Sequence, residues 1–263
     1  MRRFLLLSFG RFVAALFVAW LLLFVLLHLL PGAEDDPLGL QFPADRLAVT
    51  LPLLLLAGIV ALGLGAAIGF AAARFPGWGE RILGGLATLL SYLPPFWLGL
   101  VLALLLAGTL PAGGFVPWSA GPMQAVASLL LPALALGVPH AGQFAIRVRG
   151  AFGPEPSEAE LRPLRLAGTA PGPARWTIVQ ARALHQLPRL AATVLASLLV
   201  GAVVVENVFY LPGLGRQVLG AALAHDLPGL RASLFLLIAI AALLLLIGTL
   251  GRLVTDRQLR ATP

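Results

Sequence analysis

The chain contains no lysine and no cysteine, and only 11% of its 263 residues are charged. Each absence excludes a class of chemistry. Without lysine there is no phosphate-cradling Walker A side chain and no Schiff-base amine, so the chain is not itself a conventional P-loop ATPase. Without cysteine there are no disulfides and no thiolate metal ligands. Soluble domains carry roughly 25% charged residues. A chain with under half that share, 59% hydrophobic residues and a mean hydropathy of +0.95 is an integral membrane protein. His28, His140, His185 and His225 show no metal-ligand spacing, and no Ser-His-Asp set or carboxylate pair suggests hydrolysis. Ionisable residues are also scarce within the apolar runs, where proton pumps and ion-coupled carriers keep their relays. Energy for uphill transport would therefore come from another chain.

What the sequence does contain is long apolar runs. The first, 12–30, follows Met1-Arg2-Arg3 and is long enough to cross about 30 Å of hydrocarbon. A cleaved signal peptide would have a shorter apolar region and a small-x-small end, whereas this run ends Leu30-Pro31-Gly32. Five more runs qualify: 50–73, 83–110, 125–146, 187–205 and 232–251. The expected fold is all-α, a single unit over 1–263 with six spans and both termini on one side. All eighteen basic residues are arginine, and the net charge is +7 with a pI near 11.5. Nucleic acid is not the expected partner, because these arginines sit at the ends of apolar runs and not on one soluble face. With both termini inside, fifteen arginines fall on the inner side and only Arg46, Arg216 and Arg231 fall outside, together with the acidic Glu34-Asp35-Asp36. Basic residues accumulate on the cytoplasmic face, which assigns that face to the termini.

The one long polar interval, 147–189, then lies in the cytoplasm with seven arginines and three glutamates. Ser157 and Glu160 have capping-box spacing, and Pro173 sits where a second helix can begin, so two short helices separated by a turn are expected. Ala57, Ala61, Gly65, Gly69 and Ala73 recur every four residues along the second span, and Thr193, Ser197 and Gly201 along the fifth. Such stripes let helix backbones approach closely or line a solute path. Ser91, Tyr92, Ser128, Thr193 and Ser197 are the pathway candidates. Pro94-Pro95 should kink or interrupt the third span, and Pro132 and Pro139 the fourth.

Several segments together resemble the first permease subunit of dipeptide, oligopeptide and nickel ABC importers. These are Leu26-Leu-His-Leu-Leu-Pro-Gly32, Ser91-Tyr-Leu-Pro-Pro-Phe-Trp-Leu-Gly99, Leu131-Pro-Ala-Leu-Ala-Leu136, and above all Val203-Val-Val-Glu-Asn-Val-Phe-Tyr-Leu-Pro-Gly-Leu-Gly-Arg216 followed by His225-Asp226-Leu-Pro228. The resemblance implies a permease in the bacterial inner membrane that binds no cofactor of its own. A second homologous permease, two ATPases holding ATP and Mg, and an external solute-binding protein would complete the importer, with lipid around it. Peptides are the expected solute, nickel chelates a related one.

By the same resemblance, Leu161, Leu164, Arg165, Leu166, Ala167 and Gly168 stand where the family carries the segment that docks on the ATPase. That stretch departs from the pattern: alanines are missing, Pro163 intrudes, and Pro171-Gly172-Pro173 lengthens the spacing to Pro188. The segment between Pro31 and Thr50 is also short for the family. The external loop 206–231, with Glu206, Pro212, Gly213, Gly215 and Arg216, is the expected outer gate. Within it, a short helix over 215–224 is expected to turn Val218, Leu219 and Ala222 inward, with Glu206 and Arg216 either paired or separately solvated. A scaffold or sensor derived from such a permease is the alternative reading, and a stand-alone channel or carrier a third.

Overall fold

The computed structural model describes residues 44–75, 77–106, 108–152 and 156–261, with backbone alone at 44, at 184 and from 252 onward. The expected first span 12–30, His28 and Glu34-Asp35-Asp36 lie outside the described residues. Among the described residues the regular structure is helical: α1 (Ala44–Arg74), α2 (Trp78–Tyr92), α3 (Pro95–Leu105), α4 (Pro122–Phe152), α5 (Glu158–Leu166), α6 (Pro171–Val208), α7 (Leu214–Ala224) and α8 (Leu227–Ala261). Four of these, α1, α4, α6 and α8, are long and apolar enough to cross a membrane, and α2 and α3, bent by 96° at their junction, are so only when taken together, as a broken span or a re-entrant loop.

The bend follows from two successive residues without an N–H. Pro94 and Pro95 can donate no hydrogen bond to the preceding turn, and each pushes the residue before it out of the helical region. Leu93 and Pro94 accordingly adopt ψ of 122° and 131°. The fourth span behaves otherwise. Of the kink or interruption expected at Pro132 and Pro139, the interruption does not occur, and α4 is one helix through both prolines. Both are buried, and neighbouring helices packed around a proline hold a membrane helix together despite the lost bond.

α4 is the hub of the bundle. Its apolar window is 72% buried within the chain, against 11% for that of α8. α1 packs on it in parallel through the small-residue ridge: a Cβ added to Gly65 would lie 2.6 Å from the Ala141 carbonyl oxygen, one added to Gly69 2.5 Å from that of Ala145, and one added to Gly137 2.7 Å from that of Ala57. The ridge is thus helix-packing surface, with Ala57 and Ala61 fully buried in it. α2 lies antiparallel to α4, with Gly142 against the carbonyl of Ala87. On the other side α6 runs antiparallel, Gly201 facing Leu136, and α8 closes onto α6 where Gly248 meets the Pro188 carbonyl. Leu53, Leu129, Leu136, Leu198 and Phe209 form the centre of the main apolar cluster.

This topology separates the charges. Arg74, Arg81, Arg149, Arg162, Arg165, Arg175 and Arg182 belong to the end of the bundle that carries α5, whereas Arg46 and Arg216 belong to the end that carries α7.

Candidate functional site

At the α5 end, local sequence builds a short, well-capped helix. The Ser157 N–H and Oγ donate to Glu160 Oε2 at 2.9 and 2.7 Å, forming the expected capping box. α5 ends in a Schellman turn: the Gly168 N–H donates to the Arg165 carbonyl and the Thr169 N–H to that of Leu164, both at 3.0 Å. Such a turn needs a left-handed residue, and Gly168, at φ 81°, supplies it. Two contacts fasten α5 to the start of α6: Leu161 is only 2% exposed, and the Glu160 carboxylate pairs with Arg182. That pairing first, and the Ser157 bonds second, hold the Glu160 carboxyl down at about 2.

The remaining predicted coupling residues divide by position. Leu164 is half-buried, and Arg165 forms a two-point ion pair with Glu158 at 2.9 and 3.2 Å. Leu166, 80% exposed, Ala167 and Gly168 face outward, and Leu166 borders a groove shared with Glu158, Ala159, Arg162 and Arg165.

The second short helix expected from Pro173 is not a separate element. α6 starts at Pro171, placed at its first turn, and continues without a break to Val208. Pro188 lies inside it. The junction is braced by aromatic rings: Phe152 stacks on Trp176 with centroids 6.2 Å apart, and Phe70 meets Phe152 edge-on at 5.4 Å.

The pathway candidates do not converge. Thr193 Oγ1 accepts from Arg147 at 2.9 Å and donates to the Leu190 carbonyl, while Ser197 donates to the Val194 carbonyl. Ser128 is buried, donating to the Ala125 carbonyl at 2.7 Å and accepting the Val116 N–H. Each of these three hydroxyls thus has a hydrogen-bond partner within the chain, and Thr193 with Arg147 also joins α4 to α6. Ser91 and Tyr92 instead sit at the α2–α3 break, with the Tyr92 side chain 80% exposed at the surface of this chain.

The α7 end is organised around a buried carboxylate. Glu206, 0% exposed, accepts the Thr50 hydroxyl at 2.7 Å and the Arg216 N–H at 3.0 Å. Thr50 Oγ1 in turn accepts the Leu214 N–H at 2.8 Å. One carboxylate and one hydroxyl thus satisfy N–H groups in the first turn of α7 and tie it to α1 and α6. Gly213 and Gly215 are required by this closeness, since a Cβ would come within 2.5 Å of Glu206 Oε1 at the first and of Val203 Cα at the second. Pro212 is half-buried beside them.

Neither expected arrangement of Glu206 and Arg216, paired side chains or two separately solvated charges, is found, since Glu206 is buried. The carboxylate takes the backbone N–H, and the guanidinium lies over the Tyr210 ring, 4.9 Å from its centroid. α7 also presents a different face from the one expected. Leu214, Gly215 and Ala221 are buried and Val218 is half-buried, whereas Leu219 and Ala222 are exposed, because Glu206 grips the first turn and sets the helix's rotation. Thr50 and Arg182 were not among the residues singled out from the sequence. A single hydroxyl in an apolar run and one arginine among seven carry no local mark of their partners.

These features define a polytopic α-helical membrane protein with a polar, capped helix at one end and a buried carboxylate clamp at the other. Residues 59–261 match the family described as binding-protein-dependent transport system inner membrane component, and the chain belongs to that family. It is similar to a peptide transport system permease protein of Brucella abortus, 32% identical over 219 residues, covering 80% of this chain and 70% of the relative. A D,D-dipeptide transport system permease protein of Escherichia coli is 32% identical over 225 residues, covering 73% and 63%. A glutathione transport system permease protein of Salmonella choleraesuis is 30% identical over 200 residues, covering 73% and 62%. The protein is an ABC-transporter permease subunit of the inner membrane, and its role is transport and not enzymatic catalysis.

Proposed function

We propose that the chain forms half of the translocation path of an ATP-driven peptide importer, with α5 and both termini on the cytoplasmic side. A second permease supplies the other half, two ATPase subunits bind ATP and Mg, and an external binding protein delivers the solute. The names of the relatives support peptides as the solute class. The excess of arginine at the α5 end supports the orientation.

One observation carries the mechanism. α5 is fastened by Leu161 and Glu160 to the start of α6, and α6 is a single helix of 38 residues whose far end holds Glu206. At 1.5 Å per residue it spans about 57 Å, enough to link the two membrane faces. A displacement of α5 by the ATPases is therefore delivered along α6 to the Glu206 clamp and the α7 gate. The exposed edge formed by Arg162, Leu166, Ala167 and Gly168 is the ATPase contact. For directional transport the two states must differ in their affinity for solute, and the clamp is the element that the lever biases.

The α2–α3 break with Ser91 and Tyr92 lines the path. An interrupted helix at membrane depth is tolerated where it faces water or protein, not lipid. In proteoliposomes holding the purified complex, trialanine uptake should require ATP inside. Leu166→Asp should leave ATP hydrolysis running while uptake falls at least tenfold. Uptake by this chain without ATPases would overturn the reading in favour of a stand-alone carrier.

A further inference from the structure

A second polar site lies beside the clamp, and neither the coupling segment nor the path uses it. Arg46, Pro212, Arg216, Gln217, Ala221 and Asp226 line an open cavity of about 640 Å³. This size falls within the range of small-molecule sites. Two of the three arginines assigned to the outer side thus border one hollow.

The charges there are underused. Glu206 spends its carboxylate on Thr50 and a backbone N–H. The Arg216 guanidinium consequently rests on the Tyr210 ring and makes no ion pair among the described residues. Arg46 donates to the Pro212 carbonyl at a long 3.5 Å and pairs with Asp45 at 3.2 Å, but the Asp45 side chain is mostly exposed, so a ligand carboxylate competes with both contacts. Gln217 Oε1 is buried without a hydrogen-bond partner. A small rotation of that amide would let it accept an N–H brought into the hollow, relieving an unsatisfied acceptor. Asp226 caps the Gly229 N–H at 3.0 Å on the same rim.

We propose that this hollow is a subsite for the C-terminal end of a peptide. Arg216 and Arg46 take the carboxylate in the forked geometry that guanidinium groups favour, and Gln217 accepts the last amide N–H. The pairing of acceptor with donors selects this ligand over an isolated carboxylate. A peptide terminus carries its amide N–H two bonds from the carboxyl carbon, whereas a Glu side chain holds its N–H farther away. The inference rests on the peptide-import reading for its ligand class, yet it concerns binding at the outer face and needs no ATPase.

The test is equilibrium dialysis of labelled trialanine against the full chain in nanodiscs. Saturable binding is expected. Trialanine amide, acetate and the α-amide of N-acetylglutamate should each compete at least tenfold more weakly. Arg216→Gln should weaken binding at least tenfold and Arg46→Gln severalfold. The Arg216 N–H that Glu206 uses is retained, so thermal stability should match the parent protein and separate a lost ligand contact from a lost fold. Equal competition by trialanine and its amide would overturn the subsite, as would competition by the glutamate analogue equal to that of trialanine. Parent-like binding by both arginine variants would do the same. ATP-driven uptake by the assembled complex is measured separately. Its presence alongside any of those results would reject the subsite and leave the importer standing, whereas its absence alongside selective binding would reject the importer alone.

Discussion

Glu206 and Thr50, 156 positions apart in the chain, share a buried hydrogen bond of 2.7 Å, and the same hydroxyl accepts the Leu214 N–H. Removing the hydroxyl without changing side-chain size therefore strands two buried groups. Thr50→Val should destabilise the protein by about 2–6 kcal/mol, since each of the two unsatisfied buried groups costs about 1–3 kcal/mol. Thr50→Ser should recover most of this. Thermal unfolding in detergent measures both, and a Thr50→Val protein as stable as the parent would mean that the clamp does not hold α7.

The α1–α4 contact predicts opposite outcomes for two glycines on one helix. A Cβ at Gly65 meets the Ala141 carbonyl at 2.6 Å and Phe144 Cβ at 2.9 Å, whereas Gly63 has nothing within 4 Å. Gly65→Ala should cost about 1–3 kcal/mol through overpacking. Gly63→Ala should be neutral or gain up to about 1 kcal/mol from helix propensity. The difference in midpoint between the two variants is the measurement, and no difference would remove the close approach as a source of stability.

Acidification should loosen α5 only well below neutral pH. The Glu160 carboxyl is lowered from 4.5 to about 2 by Arg182 and Ser157. A carboxyl lowered on folding contributes stability that is complete above about 4.5 and is lost as pH falls through about 2. Hydrogen exchange over 158–166, corrected for intrinsic rates, should stay flat from pH 8 to 5 and rise towards pH 3. Glu160→Ala should show fast exchange at pH 7, and a parent-like rate there would deny Glu160 this role.

The lack of cysteine makes the proposed path directly accessible to labelling. Tyr92→Cys and Ser91→Cys in the assembled transporter should react with a charged, membrane-impermeant thiol reagent, at rates that change when ATP is added. Ile59→Cys, on the exposed apolar face of α1, should stay unreactive because lipid covers it. Equal reactivity at positions 59 and 92 would remove the helix break from the path.

The parts of the molecule that depend on near neighbours in the chain were legible from the sequence. Apolar runs located the described spans but not all their ends, since α6 begins at Pro171 and not near 187. Ser157 and Glu160 predicted the start of α5, and Pro94-Pro95 the interruption after α2, because capping and proline geometry act over one helical turn. The stripe from Ala57 to Ala73 likewise offered a close helix contact or a path lining, since spacing alone puts those residues on one face, and Gly65 and Gly69 make the contact. Other features required distant residues to meet. Which carboxylate Arg182 takes, which atom of Arg216 meets Glu206, which side of α7 turns inward and whether α4 survives two prolines all depend on neighbours brought together by packing. The sequence by itself determined a helical membrane protein with its charges sorted to one end. Only the tertiary structure decided that one long helix joins the docking segment to a buried clamp, because burial removes water as a competing partner and leaves each polar group to the donors that folding places beside it.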